Sequence, residues 1–210
     1  MLHSDDRRRQ VKSANRRAII DAAAALAEEG GLGRFTVEDL AERAGVSRRT
    51  IFNHFASVDD AVYARCSELL GVIVDDFVER ADATPPPATP STGAVFEQLA
   101  DVIERTDLVR PLSRIARLVG TGENHPATVM WGHEVLQNVT ARLTDEVARR
   151  NPHSDPFTVA LLASSLINAM EVAFTQWAAE TGAADTPGSR LVWQRLLRTA
   201  VEHLRHGFAG

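Results

Sequence analysis

The stretch from Thr36 to Phe55, TVEDLAERAGVSRRTIFNHF, decides how the chain is read. Thr36 followed three residues later by Asp39 is a capping box, in which each residue satisfies an orphan N–H of a helix start. The short helix it opens has Val37, Leu40, Ala41 and Ala44 on one face. Gly45 breaks that helix, and Ser47 suits the cap of a second one running to about Asn53 or His54. Ala41 and Gly45 are small enough for two helices to approach closely at the turn. Val46, Ile51 and Phe55 anchor the second helix from below, which leaves Ser47, Arg48, Arg49, Thr50 and Asn53 facing outward. A short helix, a glycine turn and a second short helix make the helix-turn-helix pattern.

Helical periodicity continues on both sides. Upstream, Ile19, Ala22, Ala23, Leu26 and Ala27 recur at three- and four-residue steps, which predicts an amphipathic helix from about Ser13 to Glu29, stopped by Gly30, Gly31 and Gly33. Downstream, Ser57 and Asp60 form another capping box. It starts a long helix with the stripe Val62, Cys66, Leu69, Ile73 and Phe77. Thr84 to Gly93 contains Pro85, Pro86, Pro87 and Pro90 and cannot be helical. It reads as a stiff loop inside a second domain. Five further helices follow, near Ala94–Arg105, Val109–Val119, Pro126–Arg150, Pro156–Thr181 and Ser189–Gly207, with Pro111, Pro126 and Pro156 at first-turn positions. No strand-like alternation stands out. The expected fold is all-α, with a three-helix N-terminal domain over residues 1–60 and a larger helical domain over residues 61–210.

Composition bounds the setting. The 210 residues are 44% hydrophobic, enough for one large domain or for a small and a medium one. Cys66 is the single cysteine, so no intramolecular disulfide forms, which suits a reducing compartment. No apolar run reads as long enough to span a membrane, and the charged first ten residues are unlike a signal peptide. The expectation is a cytoplasmic protein with no membrane partner. The net charge of −5 does not suggest a nucleic-acid binder, but the distribution is uneven. Between Met1 and Ile20, Arg7, Arg8, Arg9, Lys12, Arg16 and Arg17 stand against Asp5 and Asp6. Lys12 is the only lysine, so arginine enrichment also reflects a compositional bias of the whole chain. The basic start reads either as a solvated, disordered tail or as an arm reaching phosphates or a minor groove.

Residues Arg16 to Ala64 resemble the N-terminal domain of the tetracycline-repressor (TetR) family. The resemblance rests on Arg16, Ile19, Ile20, Ala22, Ala23, Leu26 and Ala27 in the first helix. It continues through Gly31, Thr36, Val37, Leu40, Ala41, Ala44, Gly45, Val46 and Ser47. It closes with Thr50, Ile51, Phe52, Asn53, His54, Phe55 and Ser57. Three positions depart from the family pattern. Phe52 stands where a tyrosine is usual, Val58 where a lysine is usual, and Ala27 where a larger apolar residue is usual. The first two remove phosphate contacts, which the basic arm is expected to compensate. Phe52 then reads as a packing residue. The residue types suggest Arg48 and Asn53 for base edges, guanine and adenine respectively, and Arg49 for base or phosphate. Thr36, Ser47, Thr50, His54 and Arg17 are candidates for phosphates. Thr36 also reads as a pure helix cap, and His54 as packing beneath the second helix.

For the second domain the resemblance is architectural. It implies a homodimer that binds a double-stranded DNA operator and a small-molecule effector, with no cofactor. It further implies that the effector releases the DNA. The segment Phe157 to Trp177 is apolar nearly all round and is expected to pack on both sides. With the last helix it would form a four-helix dimer surface. Candidate effector-binding residues are Phe96, Leu99, Ile103, Leu112, Ile115, Met130, Trp131, His133, Glu134, Asn138, Asn168 and Glu171; ordinary core or surface positions are the competing reading for each. Two other classes compete. His125, His133, Glu134 and His153 would have to carry an enzyme, yet no H-E-x-x-H or CxxC spacing occurs, and His203 and His206 suit a solvated helix end. Catalysis is therefore not expected. The other class is a helical interaction module whose helix-turn-helix no longer binds DNA.

Overall fold

The structure, a computed structural model, describes residues 2–85, 91–120, 126–152 and 154–206. Pro86, Pro87 and Pro90 of the proline loop, together with Gly122, His125 and His153, lie outside the described residues. Those described form α1 (Leu2–Gly30), α2 (Val37–Ala44), α3 (Arg48–Phe52), α4 (Val58–Ala83), α5 (Thr92–Arg105), α6 (Val109–Val119), α7 (Pro126–Arg150), α8 (Pro156–Thr181) and α9 (Pro187–His206). No strand occurs among them, and the fold is all-α as the sequence patterning requires.

Helix starts differ from the sequence reading at three places. The apolar stripe marks α1 only from about Ser13, but the helix runs from Leu2. The basic segment is therefore helical and not a disordered tail. Acidic residues precede a run of arginine, glutamine and lysine there, so good helix formers follow charges that suit the positive end of the helix dipole. α5 starts at Thr92 because the Ser91 side chain accepts from the Ala94 N–H at 3.1 Å. α9 starts at Pro187, one residue after Thr186, whose Oγ1 accepts from the Ser189 N–H at 3.2 Å.

The chain divides into two compact units. One comprises Met1–Leu69 with Arg114–Glu123, the other Leu70–Ser113 with Asn124–Gly210, so α4 and α6 each contribute to both. In the first unit, Ile19, Ile20, Ala23 and Ala27 of α1 are buried together with Leu40 of α2, Ile51 of α3 and Phe55. Polar ties surround this core. Arg43 donates through both terminal nitrogens to the Glu29 carboxylate at 2.9 Å, which fixes α2 to the end of α1. That pairing holds the Glu29 carboxyl below the usual carboxylate range. Glu68 of α4 receives Arg65 at 3.0 Å and Arg17 of α1 at 3.6 Å.

In the second unit α8 packs against α7 and α9, and α5 packs against both α8 and α9. Trp177 is fully buried. Its indole Nε1–H donates to the carbonyl of Ser189 at 3.0 Å and to its hydroxyl at 2.8 Å. Trp193 meets the Trp177 ring edge-on at 5.7 Å between centroids, a favoured aromatic geometry. The turn between α8 and α9 needs left-handed backbone at Gly182 (φ 63°) and at Ala183 (φ 54°). Arg142 pairs with Asp75 at 2.8 Å and Arg149 with Asp82 at 3.1 Å. Both sides of these pairs advance by seven residues, so α4 and α7 run parallel there over two turns.

One expectation is corrected. α8 has the length and apolar composition to cross a membrane, although the sequence reading found no such run. A core helix satisfies the same criterion, and α8 buries Val159, Ala163, Leu166, Ile167, Ala173 and Trp177. It packs on one side only. Phe157, Leu161 and Val172 are exposed, and their spacing places them on one outer face.

Trp177 should be the position where the α8–α9 pair is most sensitive. Trp177→Phe keeps most of the ring and removes the donor, and is expected to cost about 1–3 kcal/mol. Trp177→Ala should cost about 3–5 kcal/mol. Urea unfolding followed by circular dichroism measures both; equal stability of Trp177→Phe and the unaltered chain would show the hydrogen bonds to contribute nothing.

Candidate nucleic-acid interface and apolar cavity

α2 and α3 are built by local chemistry. At the start of α2 the Thr36 hydroxyl accepts from the Asp39 N–H at 3.2 Å and donates to the Asp39 carboxylate at 2.7 Å. The Thr36 N–H also donates to that carboxylate, at 2.8 Å. These bonds, the backbone one foremost, hold the Asp39 carboxyl below its usual range. Both polar groups of Thr36 are thus engaged within the cap. Gly45 ends α2 in a left-handed conformation (φ 65°), where a side chain would be strained. Ser47 then caps α3, its hydroxyl accepting from the Thr50 N–H at 3.1 Å and lying 2.8 Å from Thr50 Oγ1.

α3 buries Ile51 completely and turns its polar residues to solvent. Arg48, Arg49 and Asn53 are exposed, and Thr50 and His54 are half-exposed. Arg48 is paired across the turn with Glu38 of α2 at 2.6 Å, and both side chains are exposed. Phe52, read from sequence as a packing residue, is 52% exposed. Arg17 is exposed on α1 and directed to Glu68.

Beside α3 lies an open groove. Its walls are Thr50, Asn53 and His54 on one side and Arg7, Arg8, Val11, Lys12 and Asn15 of α1 on the other. The structure therefore brings three sequence-derived candidates, Thr50, Asn53 and His54, against the basic segment. Val11 and Asn15 were not candidates; the signal was the helical spacing 8, 12, 15, 19, 23, which continues the core face of α1 toward Arg8. His54 is held below the ordinary histidine value, first by burial and then by the charges of Lys12 and Arg16. Its imidazole is neutral near neutral pH. Arg16 stacks over the Phe55 ring at 5.0 Å.

The second unit holds a partly open apolar cavity of about 60 Å³. α4 supplies Ile73, Val74 and Phe77, and α5 supplies Leu99 and Ile103. Val139, Leu143 and Val147 of α7 face Ala163, Leu166, Ile167 and Met170 of α8 across it. Thr106 is the one lining residue with a polar side chain, and its hydroxyl donates to the Val102 carbonyl at 2.8 Å. The interior therefore offers a ligand hydrocarbon contact and no free hydrogen-bonding side chain.

Of the sequence-derived effector residues, Leu99 and Ile103 line this cavity. Phe96 lies outside it, 5.9 Å beneath the Arg205 guanidinium. Ile115 is buried within the first unit. Met130, His133, Glu134, Asn138, Asn168 and Glu171 are exposed, and Leu112 and Trp131 are half-exposed away from the lining. Among the described residues no group of three His, Cys, Asp or Glu side chains is placed to hold a metal. Cys66 is buried, and burial pushes its thiol up to about 12.

Known proteins bear on this geometry in two ways. Residues 19–60 match the bacterial regulatory proteins of the tetR family. The whole chain is similar in fold to solved regulators. The fatty acid degradation regulator FadR of Bacillus halodurans is 19% identical, with 91% of this chain and 98% of that one covered and a TM-score of 0.57. Thermus thermophilus FadR, a TetR-family transcriptional repressor solved in complex with lauroyl-CoA, is 19% identical, with 93% and 95% covered and a TM-score of 0.54. Bacillus subtilis FadR, solved with stearoyl-CoA, is 17% identical, with 91% and 98% covered and a TM-score of 0.50. At these identities the likeness speaks to fold. No curated protein sequence matches the chain. The helix-turn-helix segment, residues 19–60, is thus the part of the chain that is similar to the tetR family of bacterial regulatory proteins.

Proposed function

We propose that this regulator is a ligand-released transcriptional repressor acting as a homodimer in the cytoplasm, without catalysis and without a cofactor. Residues 1–60 serve as the DNA-binding domain, and residues 61–210 bind the effector and the second protomer. The observation that carries the reading is α3 itself, a capped helix with Ile51 inward and Arg48, Arg49 and Asn53 outward. Arg48 reads guanine and Asn53 adenine in the major groove. Arg49 meets base or phosphate. Ser47, Thr50, His54 and Arg17 meet phosphates, and Thr36 acts by fixing the start of α2.

Symmetry and surface both support a dimer. A two-fold dimer reads two half-sites roughly 34–36 Å apart. The exposed Phe157, Leu161 and Val172 of α8 and Leu191 of α9 are the residues a second copy would cover. For the effector, the apolar lining favours a hydrocarbon chain. The acyl-CoA complexes of two FadR proteins support an acyl compound as the class. α4 lends Ile73, Val74 and Phe77 to the cavity while its first turns belong to the DNA-binding unit. An effector that binds the released state more tightly would shift α4 and with it the recognition helices.

Arg48→Ala should cost about 1–3 kcal/mol on a selected operator and relax base choice at one position, read by competition against unrelated duplexes. Glu38→Gln frees Arg48 from its exposed partner and should tighten binding by up to about fivefold; weaker binding would mean that Glu38 orients the arginine for its base. For His54 the sign comes from the phosphate: burial and the neighbouring cations hold the free imidazole below its ordinary value, and an anion against the ring raises it. Binding then takes up a proton, and affinity should rise as pH falls through the acidic side of neutrality. A titration in which His54→Gln shows the same rise would assign the effect elsewhere. Ala163→Phe fills the cavity, and lauroyl-CoA should raise the melting temperature of the unaltered chain but not of this variant. DNA binding by Ala163→Phe should persist.

A further inference from the structure

The face of α1 that packs into the first unit changes character along its length. From Ile19 to Ala27 it carries buried Ile19, Ile20, Ala22, Ala23 and Ala27. Toward the other end the same helical spacing presents Asn15, Lys12, Val11, Arg8 and Arg7, which line the groove beside α3. Burial ends where the cations begin: Asn15 is half-buried, and Arg7, Arg8 and Lys12 are exposed. A helix that projects beyond its core needs no particular charge on that face to stay helical. Here the face is cationic, and none of the residues lining the groove is acidic.

The pairing pattern sharpens the contrast. Arg17, Arg43 and Arg48 each engage a carboxylate in the same unit. Arg7, Arg8 and Lys12 make no ion pair among the described residues. The opposite wall offers the Thr50 hydroxyl, the Asn53 amide and the His54 imidazole. The unpaired cations of the α1 wall fit phosphodiesters and discriminate against no base, while Asn53 on the opposite wall stays available to a base. From residue 7 to residue 15 the helix rises about 12 Å, the axial span of roughly three phosphates on one strand.

We infer that the groove between the basic start of α1 and α3 is a second DNA-binding element, in which Arg7, Arg8 and Lys12 hold the phosphodiester backbone of duplex DNA alongside the recognition helix. It rests on the proposed DNA binding, and adds to it a rigid helical wall where the sequence alone suggested a loose arm. Val11, in the middle of that wall, supplies an apolar contact for deoxyribose. The element sets affinity and salt dependence, while base choice stays with α3. It also stands in for the phosphate contacts that Phe52 and Val58 do not make.

The test compares the full-length chain with the variant Arg7→Gln, Arg8→Gln, Lys12→Gln. Glutamine keeps helix propensity and removes charge. The two DNA probes are a duplex selected from a random-sequence library by the unaltered protein and an unrelated duplex. Loss of three phosphate contacts should lower the slope of log affinity against log salt by about 2 to 3. From 50 to 200 mM salt, the unaltered protein should then lose about 40-fold more affinity than the variant. The ratio of selected to unrelated binding should stay within about twofold. Lysine at positions 7 and 8 should restore the slope, because phosphate contact needs charge and not a planar fork. An unchanged slope in a variant whose circular dichroism matches the parent overturns the inference alone. A fall in selectivity with an unchanged slope also overturns it, and places these side chains on bases. Absence of any DNA binding by the unaltered chain overturns the proposed function and this inference together.

Discussion

A helix of five residues has little stability of its own in water, because one hydrogen-bonded turn does not offset the cost of nucleating it. α3 exists because its surroundings fix it. Ser47 ties down its first turn through the Thr50 N–H. Ile51 inserts fully into the core of the first unit. The backbone of Gly45 takes a conformation that lets the chain reverse between α2 and α3 without a side chain in the way. The rest of the unit secures the elements that hold α3. The capping box at Thr36 fixes where α2 begins, and the two-pronged Arg43–Glu29 pair joins α2 to α1. The exposed surface of α3 therefore draws on buried and polar contacts throughout the first unit, which explains why so much of that unit is apolar at helical spacing.

What could be read from the sequence follows the range of the interaction. The caps at Thr36, Ser47 and Ser57 are contacts across three residues, and all three form as the spacing requires. The α7 and α8 boundaries are set by prolines at first turns and by Gly182, again local signals. The start of α1 was not legible, since an exposed basic segment carries no apolar stripe, and its helicity comes from propensity and dipole alone. The cavity was legible only at Leu99 and Ile103. Whether an apolar residue faces a void or a neighbour depends on how four helices meet, and no periodicity within one helix records that. Polar residues such as Glu134, Asn138 and Asn168 drew attention because they interrupt apolar runs. In the structure their side chains are exposed to solvent and do not line the cavity.

Net charge is a poor guide to this molecule because its arginines do two different things. Through the second unit they are spent on carboxylates. Arg205 grips Glu97 through two nitrogens at 2.7 Å, Arg190 reaches Asp107 at 3.0 Å, and Arg142 and Arg149 tie α7 to α4. Such exposed pairs contribute little each, but they neutralise the field of that half. Along α1 six cations lie between Arg7 and Arg17 with no carboxylate among them, so charge accumulates beside α3. An acidic chain can in this way present a local cationic surface, and its overall −5 works against indiscriminate adhesion to nucleic acid.

α8 explains why effector and dimer cannot be independent on the proposed reading. One of its faces supplies Ala163, Leu166, Ile167 and Met170 to the cavity, while its outer face carries the exposed Phe157, Leu161 and Val172. On that reading both faces would leave water, one toward a ligand and one toward a second protomer, which would account for a helix apolar nearly all round. Its far end is anchored by Trp177, and its start is capped by the Asp155 carboxylate, which accepts from the Thr158 N–H. Linkage makes the relation reciprocal: if the effector changes the free energy of the protomer contact, that contact must change effector affinity by the same factor. A helix with a single buried stripe would report on the cavity or on the partner; on the proposed reading α8, apolar on both faces, would report on each through the other.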